Sequence, residues 1–143
     1  MMIEGGSDFK MHFFLQMNPP RKTQQEHSVG ISKKGKPYFY EDSDLKAARA
    51  KLNKALSKFV PEVPYTCAVR LVVKWCFARG KHPNGSYKTT KPDTDNLNKM
   101  LKDEMTKLGF WKDDALVASE IIEKFWAQIP GIYIEIEELM DNE

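Results

Sequence analysis

The chain has 143 residues, 41% of them hydrophobic and 29% charged. That is the size and balance of one soluble domain, residues 1–143, able to bury a core without staples. No apolar run approaches the length needed to span a bilayer. The N-terminus MMIEGGSDFK lacks the basic and apolar regions of a signal peptide, so a cytoplasmic protein away from membranes is expected.

The net charge of +2 conceals a polarity. Residues 18–91 carry 16 Lys/Arg against 5 Asp/Glu, whereas residues 92–143 carry 5 against 13. A basic half joined to an acidic half suits an enzyme that holds a polyanion and binds cations at its acidic site. Chance segregation of surface charge gives the same tally.

In chain order, residues 8–17 alternate, with Phe9, Met11, Phe13, Leu15 and Met17 on one face, which predicts a strand. Asn18-Pro19-Pro20 ends it, because proline donates no ladder hydrogen bond. Residues 21–26 read as a polar loop bearing Arg21 and Lys22. Residues 28–41 read as a hairpin with Lys33, Lys34 and Lys36 at its turn and Tyr38, Phe39 and Tyr40 after it. Lysines beside aromatic rings suit contacts to a phosphate backbone, and equally a solvated turn that protects an edge strand.

Residues 42–59 predict an amphipathic helix with a stripe of Leu45, Ala48, Leu52, Ala55, Leu56 and Phe59, capped by Ser43 or Asp44. Residues 64–78 alternate as a strand. It contains both cysteines, Cys67 and Cys76, whose nine steps of extended chain span roughly 30 Å and exclude a disulfide. They read as buried thiols in a reducing compartment. Residues 79–91 form a long polar loop carrying Arg79, Lys81, Lys88 and Lys91. A loop of that length is uncommon unless functional, and it reads as a substrate-binding loop. Residues 95–108 predict a second helix stopped by Gly109, residues 114–126 a strand, and residues 132–137 a half-exposed final strand. The order predicts an α+β fold: a mixed, mostly antiparallel sheet with two main helices.

The stretch KPDTDNLNKMLKDEMTKLGFWKDD, residues 91–114, places Asp93 and Asp95 at a helix start and Asp113 and Asp114 beyond its end. Free N–H groups and the positive helix dipole favour negative charge at the start. Clustered carboxylates need cations, and hard oxygen ligands select Mg²⁺ or Mn²⁺. A helix of 14 residues is ~21 Å long, so a four-acid site requires the following strand to fold back and return Asp114 to the Asp93 end. Lys99 lies where it can stabilise charge on a phosphate. Alternatively, Asp95, Lys99 and Asp103 form two surface ion pairs at four-residue spacing. Asp103 is assigned to the helix on that ground.

Lys91-Pro92-Asp93-Thr94-Asp95-Asn96-Leu97, followed by Lys99, Asp103, Gly109 and Asp113-Asp114, closely resembles the signature of RusA-type Holliday junction resolvases. Weaker similarity extends to Pro19-Pro20-Arg21 and to the segment before the first helix, in versions like those of phages and prophages. The resemblance implies a small, homodimeric, Mg²⁺-dependent endodeoxyribonuclease that resolves four-way DNA junctions by paired cuts leaving 5′-phosphates. It implies Asp93, Asp95 and Asp114 as catalytic metal ligands, Asp113 as their neighbour and Lys99 as the catalytic lysine. A branched-DNA-binding protein with little nuclease activity, or a flap or fork nuclease, is the rival reading. A phosphotransferase using Asp93 as nucleophile is disfavoured, because such motifs end an apolar strand and residues 86–92 are polar.

Overall fold

The computed structural model describes residues 10–23, 27–31, 37–41 and 43–140, with backbone only for the second and third of these segments. Strand β6, Gly131–Glu138, is the alternating Ile/Glu run, and Ile132, Ile134 and Ile136 on its inner face are fully buried. It lies antiparallel between β1, Lys10–Leu15, and β4, Val69–Ala78. On the far side of β4 runs β5, Val117–Ala127, parallel to it. The sheet order is β1-β6-β4-β5, so the predicted mixed, mostly antiparallel α+β architecture is observed. A separate two-stranded sheet pairs β2, His27–Ile31, with β3, Pro37–Glu41. This is the predicted hairpin; its lysines Lys33, Lys34 and Lys36 lie outside the described residues.

The two helices are α1, Ser43–Leu56, and α2, Thr94–Leu108. Their apolar stripes share one core with the sheet. Leu45, Leu52 and Leu56 of α1, Leu97, Met100, Leu101 and Met105 of α2, and Val69, Leu71, Val73 and Trp75 of β4 are all buried there. Gly109 ends α2 at φ 91° and donates to the Met105 and Thr106 carbonyls, a left-handed conformation that glycine adopts without Cβ strain. At the start of β6 a Cβ on Gly131 would fall against the Phe14 ring and 2.6 Å from the Leu15 carbonyl. Close approach of β1 therefore requires glycine there.

Two expected strands begin late. The one predicted from residue 64 starts at Val69, because residues before it clamp the turn after α2. The Tyr65 N–H donates to the Phe110 carbonyl at 2.9 Å, and the Lys112 N–H to the Tyr65 carbonyl at 3.4 Å. Cys67 thus lies outside the strand; the two cysteines are not joined in a disulfide, and both are half-buried rather than buried. The strand predicted from Asp114 is preceded by a 3₁₀ turn over Asp114–Leu116, which the Asp113 carboxylate caps by accepting from the Ala115 N–H at 2.9 Å. No helix among the described residues is long and apolar enough to cross a membrane.

Candidate active site

Asp93 occupies the N-cap position of α2 with an extended backbone, φ −73° and ψ 150°, and its side chain makes no capping bond. The Asp95 carboxylate accepts from the Asn96 N–H at 2.9 Å. Both carboxylates are exposed, and among the described residues neither meets a cation within ion-pair distance. Lys99, one turn further along α2, is exposed as well and forms neither of the two expected intrahelical pairs. Asp103 instead faces Arg49 of α1 at 3.7 Å, so its structural role is helix-to-helix rather than along the helix.

The helix start is held from three sides by residues that periodicity did not single out. Asn98 is buried within α2; its Oδ1 accepts from the Trp75 indole at 2.9 Å, and its Nδ2 donates to Glu120 of β5 at 2.8 Å. Lys102 joins the same Glu120 at 3.0 Å. These bonds set the rotation and height of α2 on the sheet. Lys124 of β5 donates to the Thr90 carbonyl at 2.6 Å and the Pro92 carbonyl at 2.7 Å, fixing the peptides that precede Asp93. The Lys91–Pro92 bond there is cis.

The polar loop is tied to β5. Backbone bonds link Gly85 to Trp126, Trp126 to Ser86 and Lys88 to Lys124, at 2.7, 2.8 and 3.0 Å. The result is a cleft of about 170 Å³ lined by Arg21, Lys22, Thr23, Lys91, Pro92, Asp93 and Asn96. Beside it lies a pocket of about 310 Å³ that shares Arg21, Lys91 and Pro92 and adds Phe77, Lys88 and Trp126. Of the basic residues expected to contact DNA, Arg21, Lys22 and Lys91 therefore share the cleft with Asp93, and Lys88 lines the pocket beside it. Lys22 also approaches Asp44 at 3.9 Å, between exposed side chains. Arg79 turns back to the His82 carbonyl, and neither it nor Lys81 lines the cleft or the pocket.

Asp113 and Asp114 are elsewhere. Asp114 lines an open groove of about 770 Å³ between α1 and the C-terminal half of α2, with Lys46, Arg49, Asn53, Asp103, Glu104, Thr106 and Lys107. The fifteen residues of α2 separate it from Asp93 by about 22 Å of helix. Among the described residues no three His, Cys, Asp or Glu side chains come together to hold a metal. The expected return of Asp114 to the helix start does not occur within one chain. β5 does run back along α2, but it starts after Asp114. Glu120 meets the middle of the helix and Lys124 reaches its beginning.

Two exposed, unneutralised carboxylates still fit a hard cation, since Mg²⁺ is ordinarily held by one or two carboxylates with waters and substrate phosphate filling the rest. Asp93 lies inside the cationic cleft and Asp95 beside it on the same helix start, so a cation and a polyanion could meet there.

Comparison with known proteins agrees. Residues 18–137 match the family model described as endodeoxyribonuclease RusA. The chain is also 35% identical, across 91% of its own length and 99% of the relative's, to a crossover junction endodeoxyribonuclease rusA of Lactococcus phage r1t. The protein belongs to the RusA family of endodeoxyribonucleases.

Proposed function

We propose that this enzyme is a Mg²⁺-dependent, structure-selective endonuclease that resolves four-way DNA junctions in the cytoplasm, acting as a homodimer that cuts two opposed strands. The observation that carries the reading is a pair of exposed carboxylates at a helix start, Asp93 and Asp95, with Asp93 sharing a cleft with Arg21, Lys22 and Lys91. The junction as substrate is supported by the activity for which the phage relative is named.

Asp93 and Asp95 are the residues that would hold Mg²⁺, or Mn²⁺ in its place. The ion, when bound, supplies a water of lowered pKa and neutralises charge on the scissile phosphate. Hydrolysis adds one water across one P–O3′ bond, leaving a 5′-phosphate and a 3′-hydroxyl. Lys99, four residues along α2 from Asp95, offers its ammonium to charge developing on the phosphate oxygens. Arg21, Lys22 and Lys91 bind the flanking backbone and set its register without reading sequence. Lys124 keeps Asp93 in place by holding the Thr90 and Pro92 carbonyls.

Asp114, with Asp113 beside it, completes the acid set from a second copy of the chain. The length of α2 between Asp93 and Asp114 supports a site assembled from two copies, since a two-fold axis across the helices exchanges their ends. This arrangement makes each site depend on both subunits and links the two cuts to one assembly. The test is a labelled synthetic four-way junction beside a linear duplex of the same sequence, each with Mg²⁺ or EDTA. Paired cutting of the junction alone, in Mg²⁺ alone, is expected. Equal cutting of both substrates would sink the junction reading, and binding without any cutting would leave a branched-DNA-binding protein.

A further inference from the structure

The pocket beside the acid cleft has a feature that backbone binding does not need. Lys88 is only 8% exposed. Its ammonium lies 5.0 Å from the Phe77 ring centroid and 4.4 Å from that of Trp126, and it donates to the Thr90 hydroxyl at 2.5 Å. His82 stacks at 4.0 Å on Trp126. Arg21 and Lys91 line the same pocket, and Lys124 anchors its floor at Thr90 and Pro92.

Among the described residues none of these four cations has a carboxylate within ion-pair distance. Burial first, then the neighbouring Lys124 and Arg21, pull the Lys88 ammonium below the usual lysine range. Gathering unpaired cations against their own repulsion makes sense where an anion completes the set. The volume of about 310 Å³ exceeds what a phosphate needs and falls within the ~300–1,000 Å³ of small-ligand sites. Apolar surface from Pro19, Phe77, Ala78 and Pro92 fills the rest of the wall.

We infer that this pocket takes one nucleotide extruded from the exchange point of the DNA. Its base lies against the wall of Phe77, Pro19 and Pro92, and its phosphate lies on Lys88, Arg21 and Lys91. The inference rests on the nuclease reading of Asp93, because the shared residues Arg21, Lys91 and Pro92 make the captured nucleotide a neighbour of the phosphate presented to the acids. Extrusion of a base costs unstacking and unpairing energy, and at a branch point, where stacking on one side is interrupted, part of that cost is already met. A duplex offers no such nucleotide, so the pocket discriminates by structure rather than by sequence.

The test measures binding in EDTA by fluorescence anisotropy on three substrates: a four-way junction, the same junction with abasic sites at the exchange point, and the linear duplex. The unaltered protein is expected to bind the intact junction about tenfold more tightly than the abasic one, the range that base stacking contributes. Lys88→Met is expected to bind both junctions equally and weakly. Junction preferred over duplex, but with intact and abasic junctions bound alike, would overturn the pocket assignment while leaving the nuclease reading standing. No preference for either junction over duplex, with no junction cleavage in Mg²⁺, would overturn both. Should Lys88→Met lose its fold by circular dichroism, Arg21→Gln, at an exposed position, is expected to show the same loss of discrimination. Full discrimination in Arg21→Gln would count against the pocket.

Discussion

The two ends of α2 carry the same acidic residue type in opposite settings. Near the C-terminal end, the buried carboxylate of Glu104 is satisfied by Arg49 at 3.2 Å, Asn53 at 3.1 Å and Lys107 at 3.1 Å. Asp103 shares Arg49, and Asp113 caps a 3₁₀ turn. Negative charge there joins one helix to the other. At the N-terminal end, among the described residues, Asp93 and Asp95 are left without cation partners, while Arg21, Lys88, Lys91 and Lys124 gather nearby without carboxylate partners. Exposed acids and cations left to solvent rather than to one another stay available to a ligand, which distinguishes a binding site from a structural network. Asp114 belongs by position to the first end and by proposed role to the second.

That assignment is the easiest part of the comparison to break. Asp93→Asn and Asp114→Asn are each expected to reduce junction cleavage to background while leaving junction binding visible by gel shift. Mixing the two inactive proteins is expected to restore cutting, because the mixed dimer retains one site with Asp93 from one copy and Asp114 from the other. No restoration after confirmed subunit exchange would show that the acids do not meet across a dimer. Lys99→Met is expected to lower cleavage by about 10²–10³-fold, the effect of removing one charge-stabilising donor, with little change in junction affinity. An unchanged single-turnover rate would remove Lys99 from the chemistry.

Smaller effects distinguish the structural end. Arg49→Met is expected to destabilise the fold by about 1–3 kcal/mol, the cost of under-satisfying a buried polar group, since Glu104 keeps Asn53 and Lys107. Asn98→Ala is expected to cost a similar ~1–3 kcal/mol by stranding the Trp75 indole, read as a lower denaturant midpoint. The smallest effect comes from Lys88. Its lowered pKa means that the folded chain favours the neutral amine, so stability should rise as pH climbs through the lowered value toward the ordinary 10.5. Lys88→Met should flatten that rise.

Both helices were legible in the sequence because an apolar stripe at three- and four-residue spacing is a local property, and Gly109 marks the end of α2 without reference to anything distant. The Ile/Glu alternation of β6 was legible for the same reason. The delayed starts of β4 and β5 were not, because Tyr65 leaves the strand path to pair with a turn 46 residues later, at Trp111. Val117, Ile121 and Phe125 share one strand face in the pattern. Only Val117 packs on the core, while Ile121 is 46% exposed and Phe125 stacks on Tyr87 at 4.9 Å. The register with β4 shifts by one residue after Val117, so Val117 pairs with the buried Val69 whereas Ile121 pairs with Val72 and Phe125 with Cys76 on the other face, and alternation alone does not reveal a bulge.

In the candidate site, the acids and Lys99 were visible as residue types at a helix start, but Asn98, Glu120 and Lys124 were not, and at the other end of α2 neither was Glu104. Each is a polar residue whose partner lies at least 22 residues away in sequence or on another element. The sequence by itself determined the helices, the alternating strands, the segregation of charge and the acidic motif of the RusA family, all carried by local periodicity and residue chemistry. Only the tertiary structure decided that β5 runs parallel to β4, that Lys124 rather than Asp114 reaches the start of α2, and that Lys88 is buried between two aromatic rings. Strand order and register depend on contacts between segments far apart in the chain, and these determine which charges end up as neighbours.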